Sequence, residues 1–406
     1  MAGKFTEATA RSIRALFDLP GYTLVAVGRW AGWGQLTLVS KRTRFRCPCC
    51  RRTVADAHPW RWRLLRDLDI GRRHIELRVR TWRIWCATCG RVEVRITLAR
   101  PYARCTRRLE AHLFRLTGDS TVKAVAKRMA LDWRTVKDAE VRYIRGLLRK
   151  RNLDGVRRIG IDEVSYEKGH KFLTLVTDLD GHRVIYATHG NDGRAISRFL
   201  TWLGPKRCRQ IKVVVTDMHD PYLKVLKARL PRAALVFDHF HVSKVVHDAL
   251  DEIRRRLQRE LPPALRRIIK GQRYVLLRAR EKLSKRDHVS LQEILDANTD
   301  LTKGYILKEA FRDVFAATNL REGRKWLKEW EAQVRESDVP ELLNVLKTIK
   351  RRRRGIENFF QYKVSNGMAE GFNNVVGTIK KQAYGFHDRD YLKLKILRVC
   401  GKLDEG

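Results

Sequence analysis

The sequence predicts a multidomain α/β protein, and three observations carry that prediction. Two cysteine pairs of CxxC spacing lie in the first hundred residues. A basic helix-turn-helix pattern follows them. From Arg157 onward the texture changes to short apolar strands interleaved with helices, several of the strands ending in a carboxylate. The 406 residues suffice for several domains, and 44% hydrophobic with 9% aromatic content fits a folded chain rather than a disordered one.

Charge narrows the partner. The chain holds 86 Lys and Arg against 45 Asp and Glu, a formal net charge of +41. So large an excess asks for a polyanion, because each phosphate contact releases a counterion. A merely solubilising surface or a set of surface ion pairs would balance the signs better. No segment reaches the roughly 18 uninterrupted apolar residues of a membrane helix. The N-terminal stretch to Gly21 reads as amphipathic rather than as a signal peptide, since Glu7 and Asp18 interrupt it. The expected location is the cytosol. The eight cysteines are then not expected to form disulfides.

Residues 1–100 read as a zinc-binding domain. Cys47 and Cys50 in "CPCC" and Cys86 and Cys89 in "CATCG", the inner pair 36 residues apart, form two knuckles that can aim four thiolates at one tetrahedral Zn²⁺. Between them a hairpin is expected, turning at Gly71-Arg72-Arg73, with Ile75, Leu77 and Val79 on one face. Cys49, His58 and His74 are weaker ligand candidates. Residues 101–152 read as a helix-turn-helix: Thr121 to Met129, a tight turn at "ALD", then Trp133 to Leu148. Arg134 and Lys137 lie where a recognition helix faces a DNA groove.

Residues 153–245 open a catalytic core. "RRIGIDEVSYE", "HKFLTLVTDLDG" and "HRVIYATHG" read as three antiparallel strands, followed by a helix, the apolar strand "IKVVVTD", a second helix and the strand "AALVFDHFH". The order βββ-α-β-α-β is that of the ribonuclease H-like fold, whose chemistry uses carboxylates at strand ends. Asp162 is expected to end the first strand and Asp217 the fourth. Two adjacent carboxylates can hold Mg²⁺ (or Mn²⁺), and a third would complete a two-metal site. Asp238 also ends a strand and is the alternative to Asp217. Glu163 should point to the opposite face of its strand from Asp162 and so is not expected to be a ligand. Residues 246–355 read as an all-helical insertion, in which Trp326 and Trp330 have core spacing but could stack on a base. Its end, Lys350 to Arg354, is a basic run, and Arg351, Arg352 and Arg353 are expected to meet phosphate. Residues 356–406 return to the core with a helix carrying Glu370.

Four blocks now combine. "GIDEVSYEKGH", "VVVTDMHDPY", "VFDHFHV" and "SNGMAEGFNNVVGTIKKQAYGF", in this order behind a double CxxC, resemble the bacterial insertion-sequence transposases of the ISL-three family. The resemblance covers roughly Cys47 to Leu397. It implies a ribonuclease H-like DDE enzyme that binds the ends of a mobile element, cuts DNA to expose 3′-OH groups and joins them to target DNA with two metal ions. It carries the acidic, metal-holding roles to Asp162, Asp217 and Glu370. Asp238, His241 and Asn374 become supporting residues, "DHFH" resembling the D-x-x-H motif of related transposases. Lys380 and Lys381 become DNA contacts. The implied partners are double-stranded DNA, as element ends and target, and a second copy of the chain or more. The alternatives are a zinc and helix-turn-helix regulator with an inactive core, and a ribonuclease H-like nuclease without strand transfer.

Overall fold

The computed structural model describes residues 19–403 apart from Lys168, His170, Tyr384, Gly385 and His387. Most of the expected amphipathic N-terminal segment therefore lies outside the described residues. The chain divides into two compact units, one of residues 1–151 with the last four residues, the other of Asn152–Lys402.

The first unit is built on a sheet of order β1-β2-β6-β5 with β7 paired to β6. Its strands are β1 (Tyr22–Trp30), β2 (Trp33–Ser40), β5 (Ala57–Arg66), β6 (His74–Cys86) and β7 (Gly90–Glu93); β3 (Phe45–Arg46) and β4 (Thr53–Val54) form a separate ribbon. The expected hairpin is β5–β6, and Gly71 takes a positive φ of 56° in its turn. β1 and β2 are strands the sequence reading omitted. β2 runs parallel to β6 across a long excursion, so no short-range turn signal announces the pairing. Leu24, Leu36, Leu38, Leu65, Ile75, Leu77 and Val79 bury one face of this sheet.

Three helices follow: α1 (Arg107–Asp119), α2 (Val122–Arg128) and α3 (Trp133–Lys150). The Thr121 hydroxyl caps α2 through Ala124 N–H, and the Asp132 carboxylate caps α3 through Arg134 N–H. Leu109, Leu113, Val125, Val136 and Ala139 form their core. The fully buried Glu110 is compensated by Arg100 and Arg142 at 2.9 and 2.7 Å.

The second unit carries a five-stranded sheet of order β10-β9-β8-β11-β12. The strands are β8 (Arg158–Glu167), β9 (Lys171–Asp178), β10 (Arg183–His189), β11 (Val213–Thr216) and β12 (Ala234–Phe237). β8, β9 and β10 are antiparallel, while β11 lies parallel to both β8 and β12. Helices α4 (Gly193–Leu203), α5 (Pro205–Cys208) and α6 (Asp220–Arg229) connect them. Ile196, Phe199 and Leu200 of α4 and Tyr222 and Leu226 of α6 pack on the sheet residues Ile159, Ile161, Val176 and Val214.

Between β12 and the helix of Glu370 the chain is helical: α7 (His239–Glu260), α8 (Pro263–Ile269), α9 (Arg273–Leu277), α10 (Lys285–Ala297), α11 (Thr299–Val314), α12 (Leu320–Ser337) and α13 (Pro340–Tyr362). They share one core of residues such as Leu250, Phe311, Leu327 and Ile349. Trp330 is buried there and donates to Leu307 C=O at 2.9 Å, and Trp326 packs against the same core. Neither is presented to a base. The chain closes with α14 (Gly367–Gln382) and α15 (Arg389–Val399). Val376 and Ile379 of α14 and Leu392 and Ile396 of α15 pack on Val164, Leu173 and Leu175.

Candidate metal centres and acidic site

The Sγ atoms of Cys47, Cys50, Cys86 and Cys89 all lie within 4.8 Å of one another. β6 delivers Cys86 at its last residue, and Gly90, at φ 71°, lets the chain turn back into β7 behind Cys89. Cys50 and Cys86 are 3.5 Å apart. A tetrahedral zinc with bonds of roughly 2.3 Å holds its sulfurs about 3.7 Å apart, so the cluster fits that ion. The thiols are already unequal. Backbone N–H donation from Cys50 brings Cys47 down to about 6, whereas the Cys50 sulfur and burial push Cys89 up to about 12. Cys49 is exposed, His58 pairs with Asp56 at 3.0 Å, and His74 sits beside Arg66 and Asp69, so none of these three joins the cluster.

In the second unit, Asp162 does not end its strand. β8 continues to Glu167 because it keeps pairing with β9, while its pairing to β11 stops at Gly160 opposite Val215. Continuing that register by two residues brings Asp217, just past β11, level with Asp162. The Asp162 carboxyl is half-buried, and burial holds it above the usual carboxylate range. The Glu163 N–H, the Asn373 amide and the nearby His241 oppose that rise, and the charge of Asp217 adds to it.

Helix α14 meets β8 at this point. Asn366 buries its side chain and donates to Ile161 C=O at 3.3 Å. It can do so because residue 160 is glycine: a Cβ there would collide with the Asn366 amide. Asn373 donates to Asp162 Oδ2 at 3.0 Å. Glu370 is exposed in the first turn, three residues before Asn373 and hence its neighbour on the helix surface. The amide beside Asp162 is thus Asn373. Asn374, the expected supporting residue, is exposed, one position round the helix.

Asp217 gathers different company. Ligand atoms of Glu163, Asp217 and His219 lie within 4.8 Å of one another. Among the described residues this is the acidic group meeting that limit; Asp162, Asp217 and Glu370 together do not. Glu163, not expected to be a ligand, is thus the carboxylate that stands close to Asp217. Asp217 sits beyond the end of β11, where strand alternation no longer dictates its direction. Glu163 accepts from Asn191 Nδ2 at 3.2 Å, and burial raises its carboxyl. His219 Nδ1 and Asn373 Oδ1 are buried without a hydrogen-bond partner. A carboxylate pair at one level, flanked by an orphaned amide oxygen and an orphaned imidazole nitrogen, fits a divalent cation.

Asp238 and His241 do not form a pair. Asp238 is buried and caps α7 through Phe240 N–H at 3.2 Å, with His239 rather than His241 beside it at 3.4 Å. His241 faces Asp162 electrostatically instead.

The expected DNA contacts also divide. Arg134 is exposed at the start of α3, over the ring of Trp133, and Lys137 is half-buried one turn on. Arg351 and Lys381 are exposed. Arg352 is not available to phosphate: it is buried, pairs with Asp220 and donates to Met218 C=O at 3.3 Å. Its helical neighbours Ile349 and Ile356 are fully buried, which is the signal that would have revealed it. Arg353 is tied to Glu331 and Glu357 at 2.7 Å each, and Lys380 donates to Ser165 C=O at 3.2 Å.

Comparison with known proteins identifies the family. A family model described as a transposase matches residues 159–396, and the helix-turn-helix domain of transposase family ISL3 matches residues 94–144. The transposase for insertion sequence element IS1001 of Bordetella parapertussis is 30% identical over 392 residues, covering 91% of this chain and 96% of that protein. The transposase for insertion sequence element IS1557 of Mycobacterium tuberculosis is 30% identical over 362 residues, covering 83% and 81%. No described helix is long and apolar enough to cross a membrane. The chain belongs to the ISL3 family of insertion-sequence transposases, DNA-binding proteins with a helix-turn-helix domain.

Proposed function

We propose that this transposase is a DDE enzyme with a ribonuclease H-like core, which cuts DNA at the ends of its element and joins the exposed 3′-OH groups to target DNA. The sheet order β10-β9-β8-β11-β12, with β8 central and β11 and β12 parallel to it, supports that fold. The observation that carries the reading is the Asn373–Asp162 hydrogen bond. It holds α14, one turn from Glu370, against the strand of Asp162 and beside the level of Asp217. Divalent ions held by Asp162, Asp217 and Glu370 would supply the positive charge that eases attack on, and departure from, a phosphodiester phosphorus. Asn373 orients the Asp162 carboxylate, and Arg352 fixes the backbone at Met218 next to Asp217. Catalysis by position and charge needs no covalent enzyme intermediate.

The Glu163–Asp217–His219 group favours a second ligand arrangement, in which Asp217 shares an ion with Glu163 and His219 instead. A structural zinc on the four cysteines braces the end of β6. Arg134, Lys137, Arg351 and Lys381 meet DNA phosphate or base edges. Two element ends must be joined together, so the working form is a dimer or larger on DNA, in the bacterial cytoplasm at the nucleoid. The domains are the zinc-binding segment, the helix-turn-helix, and a core split by the helices α7–α13.

The test is incubation of the purified chain with its element-end duplex, a target plasmid and Mg²⁺. The reading expects new 3′-OH ends at the element boundary, followed by end–target joints. Cutting without joints would leave a nuclease, and binding without cutting would leave a regulator. A Glu163→Gln variant separates the two ligand sets: it keeps activity if Asp162, Asp217 and Glu370 suffice.

A further inference from the structure

The outer face of the β5–β6 hairpin is used by no residue assigned so far. Alternation along β6 buries Ile75, Leu77 and Val79 and turns Arg78 and Arg80 to the other side. Trp62 lies opposite Arg80 on β5, and both guanidiniums stack on its indole, at 4.7 Å for Arg78 and 4.9 Å for Arg80. Arg83, over Trp60 at 3.1 Å, and Trp85, under Arg91 of β7 at 5.5 Å, have the opposite parity along β6 and are not part of this row. Trp60, Leu64 and Trp85 are exposed. Among the described residues none of these four arginines has a carboxylate within ion-pair distance. The three carboxylates between Ala57 and Cys86 stand against eight arginines. Asp67 and Asp69 are already taken by Arg108 and Arg66, and Glu76 accepts from Gln35.

Cation–π stacking occupies the flat face of a guanidinium and leaves its edge of N–H donors free. The Trp62 indole therefore acts as a prop that holds Arg78 and Arg80 upright at reduced entropic cost. Residues two apart on a strand are separated by about 6.7 Å, so Arg78 and Arg80 form a regularly spaced cationic row. The occupant must be anionic and extended. A second copy of the same face would repel it, and Trp62, engaged by both guanidiniums, is not free to stack on an unpaired base. We propose that this face is a second contact for duplex DNA, gripping the phosphate backbone independently of the helix-turn-helix. The inference rests on the DNA-handling reading and adds to it a surface that reads charge, not sequence.

The test is fluorescence anisotropy of the full chain on a mixed-sequence duplex, with KCl varied. Wild type is compared with Arg78→Gln/Arg80→Gln, with Arg78→Lys/Arg80→Lys and with Arg134→Gln. Loss of two phosphate contacts should weaken binding and lower the slope of log K against log salt by about 2 in the Gln pair. The Lys pair, which keeps the charge, should retain the wild-type slope. A Gln pair that binds as wild type does, while Arg134→Gln is impaired, overturns the second contact and leaves the transposase reading standing. Equal loss in the Gln and Lys pairs marks a structural effect and overturns it too, as does tighter binding to single strands than to duplex. Failure of the wild type to bind any duplex would overturn the DNA-handling reading as well.

Discussion

The two candidate metal centres are built in opposite ways. The cysteine cluster is local: its thiols come from two tight turns and pack among Phe45, Ile84 and Trp82 of the same segment. The acidic site draws Asp162 from mid-strand, Asp217 from beyond a strand end and Glu370 from a helix that begins after the helices α7–α13. The first centre holds its own segment together. The second is held together by everything around it, through Gly160, Asn366, Asn373 and Arg352. On the proposed reading the two sites differ in which way stability flows, from zinc to fold in the first and from fold to metal in the second.

The largest effect expected from that contrast follows Cys86→Ser. Structural zinc contributes roughly 10 kcal/mol or more to such segments. Metal analysis should find no bound zinc, and limited proteolysis should cut freely between β3 and β7. Asp217→Asn, by contrast, should leave zinc content and proteolysis unchanged while abolishing DNA cutting. A Cys86→Ser protein that stays protected would remove the structural role of the cluster.

Gly160→Ala tests the acidic site's dependence on its surroundings. Overpacking against Asn366 should cost about 1–3 kcal/mol and push α14 off β8. Cutting should fall far more than the loss of stability explains, since the residue touches no substrate. Arg352→Gln comes next, at about 1–3 kcal/mol for a buried charged hydrogen bond. It should slow cutting without altering the salt dependence of DNA binding. A lower salt slope would return Arg352 to the list of phosphate contacts.

The smallest effect concerns charge. The Asp162 carboxyl is raised by burial, so its contribution favours the folded chain below the unfolded carboxylate pKa and is lost as pH rises through the folded value. At neutral pH the metal-free chain carries that cost. Asp162→Asn should therefore raise its melting temperature, on the order of 2–4 °C for about 1 kcal/mol in a unit of this size. Mg²⁺ or Mn²⁺ should stabilise the wild type and narrow or reverse the gap. A variant that melts lower than wild type without metal would contradict the direction.

The same contrast explains what was legible in the sequence. Cysteine spacing is a local signal, so the four thiols could be read from two turns. The strand order of the second unit was legible too, because apolar runs such as "IKVVVTD" alternate with amphipathic helices. β1 and β2 were missed: glycines at 28, 32 and 34 break their apolar pattern, and β2 pairs with a strand far along the chain. Alternation set Glu163 aside as a ligand but could not follow Asp217 past the end of β11, where its carboxylate comes within 4.8 Å of Glu163 and His219. The run of bases at Lys350–Arg354 concealed Arg352, which the helical period aligns with Ile349 and Ile356. Proximity of Asn373 to Asp162 is a tertiary fact that no spacing records.

The most direct test of the central claim is the rate of cutting of the element-end duplex in Mg²⁺ under single-turnover conditions, for Asp162→Asn, Asp217→Asn and Glu370→Gln against wild type. The DDE account predicts that each variant binds the duplex as wild type does and cuts at least about 10³-fold more slowly, a barrier increase of roughly 4 kcal/mol. Cutting at the wild-type rate by any one of the three would contradict it, and Glu370→Gln, whose carboxylate lies outside the close Glu163–Asp217–His219 group, is the variant that decides.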